Sequence, residues 1–285
     1  MELCFYGGFS PMARERGLKE AAKFAAQKGF GSVEFLEKAT MAWTPLSKDL
    51  DEAKRNKKLL KEYGLTTACY SLETLLWGDG KEDAEKALMK NAELAAELGS
   101  PFLHHTLLIW FDKLPEGAPD YEEALEKTVE SAARVAKYCQ TLGVTCLYEE
   151  QGLYFNGVNG FGRFYKEMKN RVSNVGVCGD LGNILFVDER PDPFFDEFKK
   201  EICHVHLKDY YQKDSLTEAD KTVFWYGTKG GKFLADAPLG KGVVDVEKCF
   251  TSLKEAGYEG KFSTEFASLD YIDDGIRFAK SVWEK

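Results

Sequence analysis

Short apolar runs alternate with longer amphipathic stretches along the chain. The short runs are rich in β-branched and aromatic residues, whereas the longer stretches, such as 18–29, 81–99 and 121–143, are rich in Ala, Lys, Glu and Leu. This alternation is typical of βα units, in which a helix connects each strand to the next parallel strand. The predicted strands are residues 2–6, 32–36, 66–70, 101–106, 144–149, 175–180, 202–207 and 261–265.

Eight units of this kind predict a closed (β/α)8 TIM barrel that occupies residues 1–285 as a single domain. The alternative is an open doubly wound sheet, which rarely needs eight units. The G-x-G-x-x-G signature of that fold does not follow the first strand of this chain. The pattern therefore favours the barrel.

One segment interrupts the rhythm between the seventh strand and the following helix. Residues 208–243 contain Trp225, several tyrosines and many glycines, including the stretch GTKGG at 227–231. Long connections within compact domains are usually functional lids or disordered. We expect a loop or lid insertion that partly covers the mouth of the barrel, and its glycine-rich stretch could offer backbone amides to a phosphate.

Composition and charge limit the classes of partner. The chain is 44% apolar and 30% charged, which is typical of a water-soluble globular protein, and its formal net charge is −9. A phosphate-reading surface needs a basic excess, so we expect no nucleic-acid partner. No apolar run approaches the roughly 20 residues that span a bilayer, so we expect no membrane partner.

The cysteines indicate the redox environment. The seven cysteines form no C-x-x-C pair, and four of them lie in short strand-like runs. An odd number of buried-type thiols predicts a reduced, cytoplasmic protein rather than a disulfide framework. Residues 1–11 show no basic stretch followed by an apolar one, so we expect no secretion signal. A homo-oligomer is left open.

Potential metal ligands and acid–base groups follow the strands at the end where barrel enzymes carry their active sites. They stand at the ends of predicted strands 4 to 8: His104 and His105, Glu149 and Glu150, Asp180, His206, and Glu265. Side chains alternate along a strand, so at most one of Glu149 and Glu150 faces the barrel axis. One imidazole with three carboxylates would make an O3N site for one divalent cation. Such ligation suits Mn²⁺, Mg²⁺ or Co²⁺, whereas Zn²⁺ more often recruits additional His or Cys.

Each of these residues also has a structural interpretation. Asp180 could cap the turn that follows its strand, and His206 could be a buried core histidine with a satisfied ring. Because the four strands are neighbours and their ends converge, we favour a shared metal site over four separate structural roles.

Four motifs at these positions resemble the sugar isomerase/epimerase family of xylose-isomerase-like TIM barrels. They are GVTCLYEEQG at 143–152, VGVCGDLGN at 175–183, HVHLKD at 204–209, and PLGKGVVDVEKCFTSLKEAGYEGKFSTE at 238–265. The resemblance implies metal ligands at Glu149, Asp180, His206 and Glu265, of which Glu149 and Glu265 also form the acid–base pair. It implies a divalent ion, with Mn²⁺ favoured over Mg²⁺, Co²⁺ and Zn²⁺.

The implied activity is an isomerase or epimerase that acts on a sugar, keto-sugar or polyol derivative. Such reactions remove a proton next to a carbonyl, and a metal on the carbonyl oxygen stabilises the resulting enediolate. Epimerisation needs a base on one face of the substrate and an acid on the other, and two carboxylates on different strands can provide them.

Further residues are predicted around the metal. The predicted substrate-binding residues are Tyr6, His104, His105, Trp110, Asn183 and Asp209. Glu34 resembles a family glutamate on strand 2, His204 is predicted to lie one layer deeper than His206, and Lys208 is either structural or substrate-facing. Asn183, Gln212 and Phe155 stand where well-studied ketose 3-epimerases carry histidine, arginine and glutamate. The sequence therefore does not predict free ketohexoses as substrates.

Three other functions are compatible with parts of this pattern. The same site could serve a dehydratase or lyase of the keto-inositol or 3-keto-glycoside type, in which loss of a β-substituent follows proton removal. An abasic-site endonuclease shares the fold, but it would need more histidines than the four present and a basic groove. A non-catalytic sugar-binding barrel would bind no divalent ion.

Overall fold

A computed structural model describes residues 1–38, 45–111, 113–266 and 268–285. Within these residues the barrel strands are β1 Glu2–Phe5, β2 Ser32–Lys38, β3 Thr66–Glu73, β4 Phe102–His105, β5 Thr145–Glu149, β6 Val175–Asp180, β7 Ile202–Leu207 and β11 Lys261–Thr264. They form a closed parallel barrel in the order β1-β11-β7-β6-β5-β4-β3-β2. The (β/α)8 fold predicted from the sequence is confirmed.

Helices surround the barrel. In the described ranges they are α1 Phe9–Arg16, α2 Leu18–Gln27, α3 Leu50–Glu62, α4 Lys81–Leu98, α5 Tyr121–Thr141, α6 Gly157–Arg171, α7 Pro191–Phe198, α8 Val246–Glu255 and α9 Ile272–Trp283. The longest, α5, begins where the Asp120 side chain accepts the backbone N–H of Glu123, and its apolar face is buried. No described helix combines the length and apolar character of a bilayer-spanning segment.

Strand register sets which side chains meet inside the barrel. Asp180 on β6 lies beside His206 on β7, and His206 lies beside Ser263 on β11. Since side chains in register share a face, residues at the carboxyl ends of these neighbouring strands converge at one mouth. The strand register alone therefore brings the predicted ligands to the same mouth of the barrel.

The segment after β7 forms a second, small sheet. Strands β8 Tyr210–Lys213, β9 Tyr226–Gly227 and β10 Phe233–Asp236 pair antiparallel in the order β8-β10-β9. We call these three strands the lid sheet. Pairing and alternation give it an inner face, which carries Tyr210, Gln212, Tyr226, Leu234 and Asp236. Tyr210 on this face contacts Phe186, in the loop after β6, and Lys208, so this face is turned towards the barrel.

Asp188 fastens the lid sheet to the loop that follows β6. Its backbone is left-handed, with φ of 60°. Its carboxylate accepts the hydroxyl of Thr228 at 2.8 Å and the backbone N–H of Gly230 at 2.5 Å. The backbone N–H groups of Lys229 and Gly231 are also bonded, to the carbonyl oxygens of Phe186 and Thr228. The amides of GTKGG therefore stabilise the loop itself and do not form the phosphate site that the sequence suggested.

Candidate metal centre

The four predicted ligands meet at the carboxyl end of the barrel. Nδ1 of His206 lies 2.9 Å from Oε1 of Glu149, 3.3 Å from Oε2 of Glu265 and 4.0 Å from Oδ2 of Asp180. One potential ligand atom from each residue lies within 4.8 Å of the others. The donor set is three carboxylates and one imidazole, which is the O3N arrangement expected from the strand ends.

One carboxylate oxygen of Asp180 accepts hydrogen bonds within a turn, and the other points towards the candidate metal centre. Oδ1 accepts the backbone N–H groups of Gly182 and Asn183 at 2.7 and 2.6 Å. Oδ2 is buried and has no hydrogen-bond partner in the described part of the chain. Burial, with the negative charges of Glu149 and Glu265, raises the pKa of Asp180 to about 7 against the pull of Lys208. A buried acceptor without a donor is costly, and a cation beside Oδ2 would satisfy it, so the residues present fit a divalent ion.

The two glutamates are held in the charged form. Burial opposes ionisation of Glu149, but attraction to His206, the hydrogen bond with Nδ1 of His206 and the nearby ring of His104 outweigh it, so its pKa is low. Burial also opposes ionisation of Glu265, and attraction to Lys208 and His206 lowers its pKa. Charged carboxylates are the form that binds a metal or accepts a proton.

His206 is oriented by a buried carboxylate on its far side. Nε2 of His206 lies 3.1 Å from Oε1 of Glu34, a residue with no solvent exposure. With a cation in the centre, Nε2–H would donate a hydrogen bond to Glu34, and the lone pair of Nδ1 would be directed at the cation. Glu34 also accepts from Ser71 at 2.5 Å and from Ser263. Its Oε2 lies 2.8 Å from Nε2 of His204, so His204 belongs to this deeper layer, where the sequence placed it.

Lys208 points into the centre. Its Nζ donates to Oε1 of Glu265 at 2.6 Å and to Oδ1 of Asn183 at 3.3 Å. The interaction fixes one oxygen of Glu265 and leaves the other facing His206. Of the two roles that the sequence left open for Lys208, structural and substrate-facing, neither is decided by these contacts with Glu265 and Asn183, and the substrate-facing role stays a prediction. The amide nitrogen of Asn183 is buried without a hydrogen-bond partner among the described residues.

Several predicted substrate-binding residues are placed at or near the centre. The ring of Tyr6 stacks on His206 with centroids 4.7 Å apart. Nε2 of His104 lies 3.5 Å from Oε2 of Glu149, and Nδ1 lies 3.0 Å from the hydroxyl of Ser71. Trp110 lies farther out, with its ring against Trp77 and Tyr154. Their roles in binding substrate stay predictions.

The structure does not bring His105 to the centre. Because neighbouring side chains on a strand point to opposite faces, His105 is directed away from His104 and into the layer between barrel and helices. There its ring packs against Tyr148 at 5.2 Å, and Nδ1 faces the carbonyl oxygen of Thr106. Burial lowers the pKa of His105 to about 4, so the ring is neutral.

Asp209 also faces away from the centre and organises a loop. Its carboxylate accepts the backbone N–H groups of Tyr210, Gly240, Gly242 and Val244 at 2.9 to 3.2 Å. A Cβ at Gly242 would collide with this carboxylate, so the close approach requires glycine. The expectation that Asp209 binds substrate is therefore corrected to a structural role, because its oxygens are already used by these amides.

Glu150 occupies the face opposite Glu149, as strand alternation requires. Its Oε1 accepts the backbone N–H of Asp180 at 2.9 Å, and Oε2 is buried. Burial and the charges of Asp180 and Glu149 raise its pKa well above the ordinary value. Burial therefore favours the neutral form of Glu150, whose Oε1 supports the strand bearing Asp180.

Residues that the sequence did not single out complete the centre. Ser71 and Ser263 bind Glu34, while Tyr226 and Asp236 lie on the inner face of the lid sheet. Ser263 lies two residues before Glu265 and therefore on the same strand face, so alternation could have identified it. The positions of Tyr226 and Asp236 depend on how the strands of the lid sheet pair. The sequence has no pattern that predicts this pairing.

The fold and the centre together define a class: a (β/α)8 barrel with a carboxylate-rich candidate metal site at its carboxyl end. The family model of the xylose isomerase-like TIM barrel matches residues 22–282. The chain belongs to this family, which confirms the resemblance carried by the four motifs.

Individual relatives vary in the activity that their names describe. An inosose dehydratase from Bacillus cereus is 26% identical over 219 residues, which cover 73% of this chain and 72% of that protein. A D-psicose 3-epimerase from Clostridium cellulolyticum H10, solved with D-tagatose, has a TM-score of 0.74 at 15% identity and covers 99% of both chains. A xylose isomerase-like TIM barrel protein from Mycobacterium smegmatis, solved in complex with magnesium, has a TM-score of 0.73 at 18% identity, covering 99% of this chain and 96% of that one.

Proposed function

We propose that the protein is a divalent-metal-dependent isomerase or epimerase that acts on a keto-sugar or a polyol derivative. The observation that carries this proposal is the convergence of Glu149, Asp180 and Glu265 on Nδ1 of His206. Glu149 and Glu265 stand on β5 and directly after β11, two strands that are separated in the barrel by β6 and β7. Two charged carboxylates can therefore approach a bound substrate from different sides.

The donor set supports one bound ion, with Mn²⁺ favoured over Mg²⁺, Co²⁺ and Zn²⁺ because three of four ligands are carboxylates. When bound at Glu149, Asp180, His206 and Glu265, the ion would supply positive charge that offsets negative charge developing on a substrate oxygen. A related structure from Mycobacterium smegmatis is a magnesium complex, which supports a divalent ion in this fold.

The chain's own residues provide the remaining steps. One of the two charged glutamates accepts the proton from the carbon next to the substrate carbonyl, and a carboxyl group returns a proton to the product. Tyr6 offers a flat wall beside His206, and Lys208 and the amide of Asn183 can donate hydrogen bonds to substrate hydroxyls. The lid sheet reduces access of water to this mouth.

A second candidate is a dehydratase or lyase that begins with the same proton removal. It is supported by the likeness to inosose dehydratases and by Lys208, a cation held beside Glu265. A cation at this position can stabilise a departing hydroxyl or alkoxyl group on the neighbouring carbon.

A panel of keto-sugars, keto-inositols and polyols, assayed with Mn²⁺ in D₂O, tests both candidates. An isomerase or epimerase gives a product of the same composition that carries deuterium from solvent. A dehydratase gives an unsaturated product that has lost water, and a lyase gives an unsaturated product and an alcohol. Turnover without either outcome would contradict the proposed proton chemistry.

Two neighbouring glutamates supply the matched variants for this test. Glu149→Gln removes a charged ligand and an acid–base group, so we expect kcat to fall at least about a hundredfold and metal content to fall. Glu150→Gln changes a side chain on the opposite strand face and keeps an oxygen that can accept the backbone N–H of Asp180, so the purified variant should keep its metal. Unchanged activity in Glu149→Gln would remove the mechanism.

A further inference from the structure

A strip of aromatic side chains extends outwards from the candidate metal centre. It consists of Phe111, Phe186, Tyr226 and Phe224, and we call it the aromatic rim. Successive ring centroids are 6.0, 5.6 and 4.8 Å apart. Among the large apolar side chains of the described part, Phe224 is the most exposed, at 72%.

The aromatic rim is continuous with the centre. The ring of Tyr210 contacts Phe186 at 5.7 Å and Tyr226 at 6.4 Å. Nζ of Lys208 lies 5.7 Å from the centroid of Tyr210, and the same nitrogen donates to Glu265. The rim therefore begins one ring away from a proposed catalytic carboxylate.

The ring of Phe224 packs edge-on against Tyr226, which belongs to the inner face of the lid sheet. Trp225, between them, is held by the lid itself: its Nε1 donates to the carbonyl oxygen of Asp220, and Lys213 lies over its ring. The lid thus uses Trp225 for its own packing and leaves the ring of Phe224 largely uncovered.

The groups around the rim provide no prepared site for an anionic ligand. Glu149, Glu265 and Asp236 are all acidic, and Asp236 lies close enough to Lys208 and Glu265 to feel both charges. The amides of GTKGG are bonded within the loop and to Asp188. A phosphate or carboxylate on the rim would lie near the like charges of Asp236 and Glu265 and would find no free loop amides to bind it.

We propose that the aromatic rim binds a planar, apolar group carried by the substrate, so that the substrate is a neutral aryl keto-glycoside rather than a free or phosphorylated monosaccharide. This inference rests on the proposed proton chemistry at the metal centre. The sugar ring lies against Tyr6 and Lys208, and its aryl group extends along Phe186 and Tyr226 to Phe224. Stacking between aromatic faces and edges provides the selectivity.

The test compares aryl and methyl glycosides on the Mn²⁺-loaded protein. The substrates are 4-nitrophenyl and methyl 3-keto-glucosides, and kcat/KM is measured for both. We expect wild type to favour the aryl substrate by about tenfold, and Phe224→Ser to remove most of that preference. Tyr211→Ser is the matched control, because Tyr211 is 43% exposed on the opposite face of the lid sheet; it should leave the ratio unchanged.

Binding measured without turnover separates this inference from the proposed function. Calorimetry measures the affinities for 4-nitrophenyl and methyl glucosides that lack the ketone. Because the two ligands share the sugar ring, the difference between their affinities reports on the rim. If keto-sugars are turned over but neither experiment shows an aryl preference, the rim inference is wrong and the proposed function stands. If no keto-sugar reacts, yet the aryl glucoside binds more tightly and Phe224→Ser abolishes the difference, the rim stands without the proposed chemistry. A Phe224-dependent dimer in ultracentrifugation, with no aryl preference, would instead make the rim an interface between copies and overturn the inference.

Discussion

The imidazole of His206 is held from both sides by carboxylates of different function. Nδ1 faces the three candidate ligands, and Nε2 faces Glu34, which is itself bound by two serines and His204. Such outer partners fix the tautomer and orientation of a ligand histidine. Glu34 is therefore a positioning residue for the centre.

Replacing Glu34 should weaken metal binding while leaving all four proposed ligands in the chain. For Glu34→Gln we expect affinity for Mn²⁺ to fall about 10- to 100-fold, because the amide no longer fixes the tautomer of His206. Competition with a chelator measures the dissociation constant.

Glu37→Gln is the control for this experiment, since Glu37 is another buried glutamate on the same strand. Its carboxylate pairs with Arg14 at 2.6 Å and accepts the backbone N–H of Leu46. Its loss should lower the free energy of unfolding without changing the affinity for Mn²⁺. Equal metal affinities in the two variants would show that Glu34 does not position His206.

The side of the strand on which each residue of the centre lies could largely be predicted from the sequence, because side chains alternate strictly along a strand. Alternation separates Glu149 from Glu150 and His104 from His105. Continued past His206, the same rule puts Lys208 on the inner side and Asp209 on the outer side, which is what the structure shows. Asp209 therefore lies on the wrong side of the strand to bind a substrate in the barrel mouth.

At the scale of elements, barrel strands were easier to predict than the lid sheet. Barrel strands are buried on both faces and therefore appear as continuous apolar runs. The lid strands are short and pair Tyr210–Lys213 with the distant Phe233–Asp236. Such non-local pairing leaves no periodic signal, so the sequence indicated only an insertion.

The loop after the lid sheet should depend on Asp209, because one carboxylate accepts four backbone N–H groups. Asp209→Asn offers one amide oxygen in place of two charged oxygens, and its NH₂ group opposes the remaining donors. We expect the free energy of unfolding to fall by about 2–4 kcal/mol, measured by urea denaturation. Hydrogen exchange should become faster at Gly240, Gly242 and Val244.

Asp214→Asn is the matched control for that prediction. Asp214 is exposed in the turn that follows β8, and its substitution should change stability by no more than about 0.5 kcal/mol. If both variants were equally stable, the hydrogen bonds to Asp209 would not be what holds the loop.

At the scale of the whole molecule, the centre joins distant parts of the chain. Its proposed ligands come from three neighbouring strands and from the loop position after β11, and each carboxylate brings negative charge to a buried site. A cation that binds only the folded barrel must therefore stabilise the whole fold.

Adding Mn²⁺ should raise the melting temperature of the metal-free protein. At a free concentration about 100 times the dissociation constant, the expected stabilisation is about 2.7 kcal/mol. Scanning calorimetry after chelator treatment, with and without Mn²⁺, measures it. Glu265→Gln should reduce the shift, whereas an identical thermogram with and without Mn²⁺ would favour a barrel that binds no metal.

The closure of the barrel has a consequence for how the protein is made. Strand β11 lies between β7 and β1, and β1 leads directly to Tyr6. During synthesis, Glu149, Asp180 and His206 leave the ribosome before Glu265, so a growing chain carries three of the four ligands on an unclosed sheet. Strand β1 is synthesised long before β11. The edge of β1 that pairs with β11 therefore stays without its hydrogen-bond partner until β11 has been translated. Metal capture is therefore expected to come after the insertion of β11, as a late event of biogenesis that distinguishes finished molecules from incomplete ones.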